Sequence, residues 1–140
     1  MIHFLDTSAL AKRYVREPGS REMRSTLRRA RVAVARITYA EALAAVARAH
    51  REHLIDVAER DRIVAAIGED FRELTVVEIR PATLAPVAGL VVRHPLRGYD
   101  VVQLACALAV RRAGLAVTFW SADERLAAAA DAEGLRTARA

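Results

Sequence analysis

The chain has 140 residues, the length of a single domain over 1–140, and can bury roughly two-thirds of the surface it exposes when unfolded. With 54% hydrophobic and 28% charged residues it is not a disordered chain, and its longest clean apolar run, 101–110, falls short of the about 20 residues a bilayer span needs. A net charge of +5, almost all from arginine because Lys12 is the only lysine, favours polyanionic partners, although an arginine- and alanine-rich genome would leave the same mark.

The first ten residues, MIHFLDTSAL, read as a buried strand (Ile2, Phe4, Leu5) cut off by Asp6, with a helix starting at Thr7. That helix is expected to reach Val15 and to close at Glu17-Pro18-Gly19. Ser20 is the expected N-cap of a polar helix over 21–30 that turns Met23 and Leu27 inward. Arg31 to Arg36 alternates as a second strand, and Thr38 with Glu41 has capping-box spacing at the head of a long helix. A further helix is expected from Asp56 to about Leu74, then a strand over 75–79, and a helix from Pro81 to about Val92. A basic turn, 93–98, leads into a helix over 99–113 that Gly114 closes. Ala116 to Trp120 is the fourth strand, a helix over 123–133 ends at Gly134, and 135–140 suits an edge strand. Strands alternating with helices predict an α/β fold, a three-layer α/β/α sandwich on a mostly parallel sheet.

Four acids keep unusual company. Asp6 ends a buried strand, where open parallel sheets gather their chemistry. Glu41 is the only charge between Arg36 and Arg48, Asp100 the only one between Arg97 and Arg111, and Asp123 follows the fourth strand. The remaining acids, such as Glu52, Glu59, Asp61 and Glu73, lie among arginines and read as solvated ion pairs. Each of the four also has a plainer reading as a helix cap: Asp6 directly, Glu41 with Thr38, Asp100 with Gln103, and Asp123 beside a Ser121–Glu124 box. Taken together, all four fall near helix starts that a parallel sheet places on one edge. Carboxylates crowded there repel, and a hard divalent cation, Mg²⁺ or Mn²⁺, relieves them, with the Ser8 and Ser121 hydroxyls as auxiliary polar groups. Zinc would want a His/Cys cluster that the sequence lacks.

The stretches HFLDTSALAKRY, TYAEALAA, LRGYDVVQLACA and FWSADERLAAAA, in this order, resemble the PIN domain, and specifically the VapC-type toxins of bacterial toxin–antitoxin pairs. The resemblance implies a metal-dependent endoribonuclease on an α/β/α sandwich. It assigns the four family acids to Asp6, Glu41, Asp100 and Asp123, and the small hydroxyls near the first and fourth to Ser8 and Ser121. It further implies a cognate VapB-type antitoxin, an RNA substrate and a homodimer. Arg13, Arg93 and Arg97 are the arginines placed to grip the RNA backbone, and Tyr99 stands where the family often has a small residue.

Other classes fare worse. A haloacid-dehalogenase-like phosphatase needs a second Asp where Ser8 stands, and a receiver domain needs a late lysine. A PIN nuclease of RNA processing without an antitoxin, and a basic binding module whose acids merely cap helices, are the alternatives. His50 and His53 suit a solvated helix face, and His94 a turn. Cys106, the single cysteine, fits a buried thiol in a reducing cytoplasm, and the acid at position 6 without a basic lead-in argues against a signal peptide.

Overall fold

The computed structural model of the protein describes residues 1–16 and 18–140; Glu17, part of the expected first turn, lies outside the described residues. The chain runs β1 (Ile2–Leu5), α1 (Thr7–Ala11), α2 (Ser20–Leu27), β2 (Arg31–Ala35), α3 (Arg36–Arg51), α4 (Val57–Glu73) and β3 (Thr75–Val77). It continues through α5 (Pro81–Leu84), α6 (Val87–Arg93), α7 (Gly98–Arg112), β4 (Val117–Ser121), α8 (Glu124–Ala132) and β5 (Arg136–Arg139). The described residues form one five-stranded sheet in the order β3-β2-β1-β4-β5, with every neighbouring pair parallel. All strand carboxyl ends therefore share one edge.

Alternation along the strands sorts the core onto the two faces. Ile2, Phe4, Ala33, Ala35, Val117 and Phe119 pack on one side against Leu90 of α6, Val101, Leu104 and Leu108 of α7, and Leu126 of α8. Leu5, Val32, Val34 and Trp120 pack on the other against Leu10, Met23, Leu27, Ala42, Ile63 and Ile67 from α1 to α4. These are the three expected layers. Burying each large aliphatic or aromatic side chain contributes about 1.5–3 kcal/mol, so the β1–β4 seam, where Phe4 and Phe119 stack at 5.8 Å, is the centre of the fold.

Several elements depart from the expected bounds. β2 is buried on both faces beyond Arg31, as a parallel strand with helices on either side must be. α1 stops at Ala11, four residues early, and gives way to turns. Ser20 does not cap α2: Gly19 holds that place at φ 86°, in the left-handed region glycine tolerates, and the Ser20 hydroxyl donates to the Val15 carbonyl at 3.2 Å. α3 follows β2 without a loop, with Ala35 as its N-cap, so Thr38 lies inside the helix and is fully buried. The expected helix after Pro81 is two short helices, broken at Ala85 and Pro86, because proline offers no N–H to continue the ladder. Asp56 caps α4 as a helix start should, accepting from Glu59 N at 2.7 Å.

Candidate active site

The backbone bond from Asp6 N to the Trp120 carbonyl, 3.1 Å, ties the end of β1 to the end of β4. It brings Asp6 beside Ser121, 115 residues away in sequence, and the Ser121 hydroxyl donates to Asp6 Oδ2. Oδ1 of Asp6 accepts from Ser8 Oγ at 2.7 Å and from Ala9 N at 2.8 Å, so Asp6 also caps α1. Ser8 and Ser121 in turn pin the loop after β4: Ala122 N donates to Ser8 Oγ, and Asp123 N to Ser121 Oγ, both at 2.9 Å. Asp6 is 4% exposed, and burial raises its pKa; its three hydrogen bonds oppose the shift and the Asp100 charge adds to it.

Asp100 occupies the first turn of α7. Its pKa is raised by burial first, then by the charges of Asp123 and Glu41, with Arg97 pulling the other way. Asp100 thus lies within electrostatic reach of all three other acids. Asp123 is the N-cap of α8, its Oδ1 accepting from Arg125 N at 2.8 Å and Leu126 N at 3.1 Å. Glu41, in the second turn of α3, takes two donors on Oε1: the Thr7 hydroxyl at 2.8 Å and Gln103 Nε2 at 3.0 Å. The capping reading therefore holds for Asp6, while at α8 Asp123 is itself the N-cap and the Ser121–Glu124 box fails, because Ser121 ends β4. The Thr38–Glu41 and Asp100–Gln103 boxes fail too: Gln103 reaches Thr7, Thr38 and Glu41, and Asp100 accepts a backbone bond from Arg97, the N-cap of α7.

Glu41, Asp100 and Asp123 line one cleft of about 670 Å³ together with Arg97, Tyr99, Glu124 and Arg125. Of the three arginines picked from sequence, only Arg97 is there. Arg13 pairs with Asp70 at 3.4 Å and borders a separate groove with Arg24 and Arg28. Arg93 bonds Glu133 at 3.0 Å, ten residues along from Asp123 and so about 15 Å down the α8 axis. Both correct the expectation, and for one reason: each has a carboxylate partner that sequence distance conceals. Sequence reasoning missed Arg125, Thr7 and the role of Gln103. The one signal for Gln103 was its isolation as the polar residue within 101–110.

Among the described residues, no three His, Cys, Asp or Glu side chains stand close enough to form a ready-made metal cage. The donor set nevertheless suits a small hard cation. It is all oxygen, it carries like charges that push Asp100 and Asp6 upward, and Mg²⁺ is ordinarily held by one or two carboxylates with water and substrate phosphate completing its shell.

Residues 3–132 match the PIN domain family. Ribonuclease VapC45 of Mycobacterium tuberculosis (strain CDC 1551 / Oshkosh) is 39% identical over 140 residues, covering 98% of this chain and 94% of that protein. In fold, the chain is similar to the crystal structure of FitAcB from Neisseria gonorrhoeae, with a TM-score of 0.71 at 18% identity over 98% of this chain and 96% of the other. It is also similar to VapBC2 from Rickettsia felis bound to a DNA fragment from their promoter, with a TM-score of 0.68 at 12% identity over 99% and 98% of the two chains.

Proposed function

The chain belongs to the PIN-domain family, and from that premise we propose that it is a VapC-type toxin, an endoribonuclease dependent on Mg²⁺ or Mn²⁺ and restrained by a cognate VapB-type antitoxin. The observation that carries this reading is the position of Asp100, facing the charges of Asp6, Glu41 and Asp123 at the carboxyl edge of the sheet. Asp6, Asp100 and Asp123 would hold the cation directly or through water, with Glu41 beside them. When bound, the ion lowers the pKa of a water molecule and offsets the charge that develops on the scissile phosphate.

The chain's own groups divide the rest of the work. The serine bonds to both oxygens of Asp6 fix its orientation and prevent it from swinging away from Asp100. Glu41 has Oε1 occupied by two donors, which leaves Oε2 to complete the cation's set or to take a proton from the attacking water. Arg97 and Arg125, at the wall of the cleft, bind the phosphate backbone on either side of the bond cut. No helix among the described residues is long and apolar enough to cross a membrane, and the cytoplasm, where RNA is found, is the proposed place of action. Two copies are proposed to associate through the exposed apolar residues Val91 and Val92 of α6, since α7 and α8 turn their alanine-rich faces into the core. Light scattering on the purified chain reads that state.

The test is cleavage of total cellular RNA with mapping of the new ends. Asp6→Ala and Asp100→Asn should each lose activity by about 100-fold or more while remaining folded. Full activity in both would reject the site. Expression with and without a neighbouring antitoxin gene tests the toxin reading: arrest of growth only in its absence is expected, and no arrest in either case would refute it.

A further inference from the structure

The geometry points to Gln103 as a positioning residue of this centre: its amide, acting with the Thr7 hydroxyl, holds one oxygen of Glu41 in place and leaves the other for the chemistry of the cleft. This rests on the ribonuclease reading above. Gln103 lies one turn beyond Asp100 on α7 and is 2% exposed. Its Nε2 approaches Thr38 Oγ1 at 2.9 Å, Glu41 Oε1 at 3.0 Å and Thr7 Oγ1 at 3.1 Å. Thr7 donates to the same Glu41 oxygen at 2.8 Å. One side chain thus joins the helix that carries Asp100, the helix that carries Glu41 and the residue next to Asp6. Among the described residues no hydrogen-bond donor reaches Glu41 Oε2.

The other end of the amide sets function apart from stability. Gln103 Oε1 is buried without a partner. An unpaired buried carbonyl is destabilising, and an apolar side chain of the same size would fill the space without that penalty. Turning the amide over does not help, because Oε1 would then meet Glu41 Oε1, acceptor against acceptor. What Gln103 contributes is therefore its donor. A neutral donor is also the right kind: a lysine or arginine there would offset the Glu41 charge and compete with a cation, whereas an amide orients the carboxylate and leaves its charge intact.

Gln103→Met and Gln103→Leu test this, measured beside Asp100→Asn for RNA cleavage, for Mn²⁺ binding to the metal-free protein and for melting temperature. Both Gln103 variants are expected to remain folded, since relief of the unpaired Oε1 offsets the loss of the Thr38 hydroxyl's partner, to keep KM for RNA, and to lose about tenfold or more in kcat and in Mn²⁺ affinity. If Asp100→Asn cleaves as well as the parent, the ribonuclease reading of the cleft fails. If Asp100→Asn is inactive while both Gln103 variants cleave RNA and bind Mn²⁺ like the parent, only the positioning role is overturned. Failure of both to fold would also overturn it, since Gln103 would then be a structural residue.

Discussion

Asp100 is exposed enough to meet solvent, yet partial burial makes its charge unwelcome, and the charges of Asp123 and Glu41 work in the same direction. Its pKa is raised in the folded state, so it contributes stability in full at acid pH, below the ordinary carboxylate range, and that contribution is lost as pH rises through the shifted value. Without metal at neutral pH, Asp100→Asn should therefore raise stability, by about 0.5 kcal/mol once solvent screening is allowed for, as read from thermal melts in chelator. With Mn²⁺ in excess the advantage should disappear, because the parent alone gains from the ion. His3 is a second titrating reporter. Trp120, the only tryptophan, donates its indole N–H to His3 Nδ1 at 2.9 Å, and the His3 pKa is lowered by burial first and by the chain's amino terminus second. A lowered histidine pKa means stability that is present above its ordinary value of about 6.5 and lost as pH falls through the shifted one. Trp120 fluorescence should change with a midpoint below about 6.5 as Nδ1 turns from acceptor to donor, and His3→Phe should abolish the transition.

Among the elements, the closures marked by glycine are the firm ones. Gly114 ends α7 at φ 87°, and a Cβ built there would meet nothing within 4 Å. Gly114→Ala should then cost only its backbone strain, about 1–2 kcal/mol, measured by denaturant unfolding, with RNA cleavage unchanged at a temperature where the variant is folded. Glycines after helices, the β-branched strand before Pro81, and Asp6 at the end of an apolar run were legible because each signal is local. The openings misled where a hydroxyl and an acid three residues apart imitated a capping box. Thr38 and Glu41 both turn instead toward Gln103, 65 and 62 residues away, and no spacing rule reaches so far. Arginines are harder still. Arg13 and Arg97 both flank acid-bearing elements, yet one finds Asp70 and the other lines the cleft, a difference made by the tertiary arrangement alone.

For the whole molecule, charge is divided: an acidic cleft interrupts a surface with a net charge of +5. α2 and its C-cap present Arg21, Arg24 and Arg28 to solvent, none of them paired with a carboxylate among the described residues. A polyanion is thus attracted from a distance and repelled at the point of chemistry unless a cation is there. KM for RNA should rise with salt; even about three phosphate contacts on a single strand predict about twentyfold between roughly 50 and 200 mM. A flat dependence would show that the basic surface takes no part in binding.

The central place of β1 has a consequence for the order of events during synthesis. The first strand is made first, but its partner on one side, β4, is made more than a hundred residues later, and the bond from Ser121 to Asp6 waits for it. A nascent chain therefore carries Asp6, Glu41 and Asp100 without the seam that aligns them. The seam and the site therefore form in one event: until β4 docks on β1, Asp6 lacks the Ser121 bond that fixes it.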